Sequence, residues 1–179
     1  MEKSIVSQKT TRTVFLLGFM ASGKSSYGRK AAKRLELPFI DLDDEIEKKM
    51  GMNIAELFQK QGEQSFRDIE FETLSNLLPQ SGIISLGGGT VCNHNVWDLL
   101  KNHGLTVFLD MPFEKCLGRL RTSKKARPLA VNLENKEAID RLHTLYEKRK
   151  ENYHRADHKV DFPYDHKSLA NSLSLWMKG

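Results

Sequence analysis

The feature that most constrains this chain is the stretch Gly18-Phe19-Met20-Ala21-Ser22-Gly23-Lys24-Ser25, set directly after the apolar run Val14-Phe15-Leu16-Leu17 and directly before a helix-forming segment. The G-x-x-x-x-G-K-S spacing between a strand and a helix is a phosphate-binding loop in its required context. Backbone N–H groups of the loop and of the helix N-terminus point at phosphate oxygens, and glycine lets the backbone approach them closely. Lys24 adds a point charge at the outer phosphates of a nucleotide, and the Ser25 hydroxyl can ligate Mg²⁺. Gly18, Ala21, Ser22, Gly23 and Ser26 complete the candidate phosphate cradle. The plain alternative is a glycine-rich turn capping a helix.

The rest of the chain repeats the alternation that this loop begins. Residues 13–17, 38–42, 82–86, 106–110 and 159–162 are β-rich runs with helical patterns between them. Continuous apolar runs such as VFLL and GIISL suit strands covered on both faces, so the expected architecture is α/β, a three-layer α/β/α sandwich around a five-stranded parallel sheet. With 179 residues the chain fits a single domain, 1–179. Between the second and third strands there is more helix than one crossover needs, so residues about 44–78 read as an inserted helical subdomain. It breaks at Met50-Gly51-Met52-Asn53, restarts on an Asn53/Glu56 capping pattern and is interrupted at Gly62. Residues 112–120 read as helix, and 121–134 (RTSKKARPLAVNLE), with a proline and no sustained periodicity, as a mobile lid. In 136–152, Ile139, Leu142, Leu145 and Tyr146 form a core-facing stripe.

Composition removes several function classes. No apolar run is long enough to span a membrane, and residues 1–11 hold no signal-peptide core and read as a short disordered lead-in. Cys92 and Cys116 lack metal-ligand spacing and fit a reducing cytosol, so a cytoplasmic protein is expected, and a monomer. His154 and His158 lack a third ligand and read as solvated surface around Asp157. The net charge of +5 is concentrated between Lys115 and Arg155, so an anionic ligand is expected to meet that segment. The segment carries no nucleic-acid-binding signature, and a phosphorylated small molecule explains it more economically than nucleic acid.

Three further groups of residues carry chemistry. Phe39-Ile40-Asp41-Leu42-Asp43-Asp44 delivers carboxylates to the C-terminal edge of the sheet, where ligands of open α/β sheets bind. Asp41 and Asp43 alternate on the strand and so project to one side, placed to hold a hydrated metal and meet a substrate hydroxyl; the rival reading has Asp43 or Asp44 capping the next helix. Gly87-Gly88-Gly89 follows an apolar strand, and a ligand approaching the bare backbone would justify three glycines where a tight turn needs one. Arg67, Arg127 and Arg149 can grip a carboxylate with two parallel bonds or neutralise a phosphoryl group; each taken alone reads as solvated surface.

The ordered set G-F-M-A-S-G-K-S, F-I-D-L-D, G-E-Q-S-F-R, L-G-G-G-T and A-R-P-L resembles the shikimate kinase family over nearly the whole chain. The resemblance implies a P-loop kinase fold of the nucleoside monophosphate kinase type. It implies transfer of the ATP γ-phosphoryl to the 3-hydroxyl of shikimate, a step toward chorismate and the aromatic amino acids, with Mg²⁺ as cofactor. It makes Asp43 the carboxylate at the reacting hydroxyl, Arg67, Gly88 and Arg149 shikimate contacts, Glu70 the support of Arg67, and Phe58 and Phe66 the walls of the ring site. Ser25 and Asp41 become Mg²⁺ partners, and Arg127 the lid residue that swings over the phosphates. Two departures stand out. Ala21 replaces a usual glycine, tolerable if its φ is negative, and no arginine sits near the last strand to flank adenine, which leaves Arg119 or Arg121. The rivals are another small-molecule kinase, such as a gluconate or nucleoside monophosphate kinase, against which F-I-D-L-D and G-G-G argue, and a noncatalytic nucleotide or nucleic-acid binding module.

Overall fold

A computed structural model describes residues 13–78, 82–123 and 127–178. The lead-in expected over 1–11 lies outside the described residues, as do 124–126 in the segment read as a lid. β1 (Thr13–Leu17) is buried at every position and occupies the centre of a five-stranded sheet of order β2-β3-β1-β4-β5. Its neighbours are β2 (Phe39–Asp41), β3 (Ile83–Ser85), β4 (Gly104–Asp110) and β5 (His158–Asp161). All pairings are parallel, with Val14 facing Ile83 on one side and Leu105 on the other. The expected sheet is thus present, with the runs 38–42 and 82–86 each shortened at both ends.

The direction of the crossovers builds the layers. The connection from β1 to β2 through α1 (Lys24–Leu35) runs one way along the sheet, and those into β3, β4 and β5 run the other way. Right-handed crossovers therefore place α1 on one face, with α7 (His166–Trp176) packed against it, and the later helices on the other. Because every strand points the same way, the phosphate loop, the end of β2 and the triglycine turn after β3 all emerge at one edge.

The inserted helices are α2 (Leu42–Met50) and α3 (Ile54–Leu77). Asn53 opens α3 with a complete capping box: its side chain accepts from the Glu56 N–H at 2.9 Å and Glu56 accepts from the Asn53 N–H at 3.2 Å. Gly62, at φ 78 and ψ 172, breaks α3 where the sequence interrupts it, a conformation that a side chain would resist. Leu57, Phe66 and Leu74 of α3 belong to the same buried cluster as β1. The remaining helices are α4 (His94–His103), α5 (Phe113–Thr122) and α6 (Lys136–Tyr153). On α6, Leu142 and Tyr146 are buried and Ile139 and Leu145 half-buried, as the stripe requires.

Two local readings change. The cap of α2 is Asp41, which accepts from the Asp43 N–H at 3.1 Å, and not Asp43 or Asp44. The His154–His158 region is not simply solvated: His158 stacks flat on Trp176 with centroids 4.1 Å apart, and His154 meets the edge of Phe108. Asp157 between them accepts from the Thr106 N–H and hydroxyl at 2.8 and 2.7 Å, tying the turn before β5 to β4.

Candidate active site

The loop after β1 turns on Gly23, whose φ of 101 starts α1 and whose missing side chain leaves room for the Tyr27 ring, 2.5 Å from where a Cβ would stand. The first turn of α1 has no side-chain cap and no acidic residue, in contrast to the first turn of α2 with Asp43, Asp44 and Glu45. A helix start of that kind presents N–H groups and the positive end of the helix dipole to an anion. Lys24 is buried and its Nζ donates to the carbonyls of Gly18 and Phe19 at 2.8 and 3.0 Å, which holds the amine across the loop. Burial, with the positive charge of Arg127 second, lowers Lys24 to about 8, against the opposing pull of Asp43 and Asp41.

Ala21 departs from the condition set for it. Its φ is 61, in the left-handed region, so the usual glycine has been replaced at a position that favours glycine, and the loop carries the strain. Of the two arginines named for the adenine side, Arg119 stands beside the phosphate loop: its guanidinium donates to the Ala21 carbonyl at 3.2 Å and the Tyr27 hydroxyl at 2.9 Å and lies over the Tyr27 ring. Arg121 turns away and donates to the Leu133 carbonyl, across the segment read as a lid.

At the end of β2 the strand picture of the carboxylates fails, because Leu42 already belongs to α2. Asp41 is the last strand residue and Asp43 stands in the first helical turn, yet both line the cavity beside the phosphate loop. The triglycine serves the protein's own side chains. A Cβ on Gly87 would stand 2.8 Å from Glu70 Oε1 and 3.0 Å from Asp43 Oδ1, and one on Gly89 would stand 2.5 Å from an Arg67 nitrogen and 2.9 Å from an Arg149 nitrogen. Glycine here lets two arginines and two carboxylates converge on one turn.

Arg67 donates to Glu70 at 2.7 Å and to the exposed Glu63 at 3.2 Å. Burial alone would lower its pKa, but Glu70 and then Glu63 overcome burial and hold it above the usual value. The buried Glu70 uses its second oxygen to accept from the Thr90 hydroxyl at 2.6 Å. Arg149 is buried at 6% exposure, and Phe58 and Phe66 pack with centroids 4.6 Å apart as the apolar wall.

Two cavities result. The larger, about 460 Å³ and so of ligand size, is lined by Gly23, Lys24, Ser25, Ser26, Asp41 and Arg119, among others. The smaller is lined by Phe58, Phe66, Arg67, Glu70 and Arg149, with Pro128 and Leu129 in its wall. They share Asp43, Gly88 and Arg127, so the cavity of the phosphate loop and the arginine-lined chamber are neighbours with a common wall. Apart from Arg121, the ligand-contact residues named from the sequence stand at these cavities or in the loops that frame them.

Sequence reasoning missed Thr90, Tyr153, whose hydroxyl donates to the Gly88 carbonyl, and Tyr164, whose hydroxyl donates to the Ser22 carbonyl at 2.7 Å. Thr90 abuts the triglycine and Tyr153 lies one helical turn beyond Arg149, so both had a local signal; Tyr164 arrives from a distant loop and had none. Both described cysteines are free thiols. Cys116 is buried, and burial pushes it up to about 11, which makes it inert.

The shikimate kinase family model matches residues 20–173. A shikimate kinase of Aquifex aeolicus is 38% identical over 167 residues, covering 93% of this chain and 96% of its own. The crystal structure of a shikimate kinase from Bacteroides thetaiotaomicron superposes with a TM-score of 0.85 at 30% identity, covering 94% of this chain and 99% of that one. A shikimate kinase from Acinetobacter baumannii, solved in complex with shikimate, gives a TM-score of 0.85 at 29% identity, with 95% and 94% covered. With the family model matched over residues 20–173 and a relative 38% identical across 93% of this chain, the chain belongs to the shikimate kinase family.

Proposed function

We propose that this kinase transfers the γ-phosphoryl group of ATP to the 3-hydroxyl of shikimate, giving 3-phosphoshikimate and ADP. The observation that carries the reading is the shared wall of the two cavities: Asp43, Gly88 and Arg127 border both the triphosphate cradle and the acceptor chamber. Phosphoryl transfer through a loose transition state asks mainly for alignment and charge neutralisation. Lys24 and the first turn of α1 hold the β and γ phosphates, and Arg127 neutralises the group in flight. Arg67 and Arg149 grip the shikimate carboxylate, Phe58 and Phe66 flank its ring, and Asp43 orients the hydroxyl and accepts its proton. Arg119, stacked on Tyr27 beside the loop, takes the nucleotide base side. The segment 121–134 acts as a lid that excludes water from the phosphates.

The donors also fit Mg²⁺. Ser25 and Asp41 are hard oxygen ligands in the cavity of Lys24, and Mg²⁺ commonly takes one or two protein oxygens and completes its shell with phosphates and water. Ser25 and Asp41 would hold the ion, which would supply neutralisation of phosphate charge.

Of the basic segment, Arg119 borders the larger cavity, Arg149 the smaller and Arg127 both, which supports anionic small molecules as its ligands. Among the described residues no helix is long and apolar enough to cross a membrane. We place the enzyme in the cytoplasm, acting as a monomer.

Purified protein with MgATP, offered shikimate, gluconate or a nucleoside monophosphate in turn, tests the reading through ADP release. Turnover with shikimate alone is expected. Turnover with gluconate and none with shikimate would assign the chamber to another acceptor.

A further inference from the structure

Tyr153 ends α6 four residues after Arg149, so both side chains leave the helix on one face, a turn apart. It is only 1% exposed although it carries a hydroxyl, and its ring lies on Phe108 of β4 with centroids 5.2 Å apart. A buried phenol needs a polar partner. This one donates to the carbonyl of Gly88, the middle residue of the triglycine turn. Burial pushes the phenol far above its ordinary range, so it remains a protonated donor.

The turn is held differently at each of its carbonyls. Those of Gly87 and Gly89 are taken within the turn, by the N–H groups of Thr90 at 3.3 Å and Cys92 at 3.0 Å. That of Gly88 is taken from outside, by α6. The Gly88 oxygen and the Gly89 N–H belong to one planar trans peptide, so the hydroxyl that holds the oxygen also fixes the opposite direction of that N–H. Arg149 reaches the same peptide: its nitrogens lie 3.5 and 2.9 Å from where side chains on Gly88 and Gly89 would begin. From α3, Glu70 lies against Gly87 and accepts from the Thr90 hydroxyl at 2.6 Å, and neither contact holds the Gly88 carbonyl.

We propose that Tyr153 is a positioning residue for the acceptor: by holding the Gly88 carbonyl it fixes the triglycine turn against Arg149 and sets the spacing at which both meet shikimate. Tyr153 itself touches no substrate. The inference rests on the proposed assignment of Gly88 and Arg149 to shikimate.

Calorimetric titrations of the full chain and of Y153F, F108L and R149K, with shikimate and separately with MgATP, test it. Y153F removes one buried hydrogen bond and should weaken shikimate by about fivefold while leaving the Kd for MgATP unchanged. F108L disturbs the packing of the same ring with its hydroxyl intact, and should weaken shikimate less than Y153F even where its thermal destabilisation is equal. An unchanged shikimate Kd in Y153F, or losses in the two variants that simply track their stability, overturns the proposal. R149K loses the two-pronged grip and should lose most shikimate affinity. Wild-type binding by R149K sinks the site assignment itself, whereas weakened R149K beside normal Y153F sinks only the role of the tyrosine. Should Y153F not fold, the Tyr153 hydroxyl proton of the unaltered protein decides by NMR. It should shift on adding shikimate and not MgATP, and an unmoved resonance overturns the idea.

Discussion

Asp43 stands where three charges meet: it belongs to both cavities, pulls on the pKa of Lys24, and lies across Gly87 from Glu70. Asp43→Ala should lower kcat by at least about a hundredfold, the usual scale of a lost proton acceptor, with the Kd for ATP little changed. An unaltered kcat removes Asp43 from the chemistry. Arg67 divides its guanidinium between buried Glu70 and exposed Glu63, so the exposed glutamate competes with an incoming carboxylate. Exposed pairs of this spacing are worth about 0.3–0.5 kcal/mol, and Glu63→Ala should therefore tighten shikimate by about twofold in its KM. A raised KM would show that Glu63 orients Arg67 instead of occupying it. Lys24 supplies a pH dependence. Its pKa in the free protein is about 8 and bound phosphates raise it, so binding takes up a proton once the pH passes 8. ATP affinity should be full below that pH and fall by up to about tenfold per unit above it, until the pKa of the bound form is reached. An ATP Kd flat from pH 7 to 10 contradicts that account.

The phosphate loop shows what a sequence pattern contains and what it omits. The turn at Gly23 and the lysine after it were legible because their spacing between a strand and a helix is fixed, and the apolar runs around them were legible because strands buried on both faces admit little else. The backbone angle of Ala21 was not legible, since the same four central positions of the motif accept many residues and only the folded loop sets φ to 61. Ala21→Gly should stabilise the free protein by about 0.5–1 kcal/mol and raise Tm by about 2 °C, by relieving left-handed strain. A lower Tm would mean that the alanine methyl makes compensating contacts. Asn53 and Gly62 were readable because caps and breaks are decided within one turn of chain. The convergence of Arg67 and Arg149 on the triglycine was readable only through the resemblance, because the two arginines come from helices far apart in sequence. Thr90, Tyr153 and Tyr164 act through single hydrogen bonds to backbone or to a neighbour and leave no periodic trace.

At the scale of the molecule, one parallel sheet gathers the loop after β1, the acid at the end of β2 and the turn after β3 onto a single edge, while α5 and α6 bring their arginines to it from the far half of the chain. The boundary that Asp43, Gly88 and Arg127 form between the chambers has a thermodynamic meaning. A ligand that draws Arg127 toward its phosphates alters the wall that the second ligand meets, so neither equilibrium is independent of the other. Whatever factor MgADP imposes on the dissociation constant of shikimate, shikimate must impose on MgADP. Titrations run in both orders should return one and the same factor, different from unity. A factor of one would mean that the partition is too rigid to carry news from one side to the other.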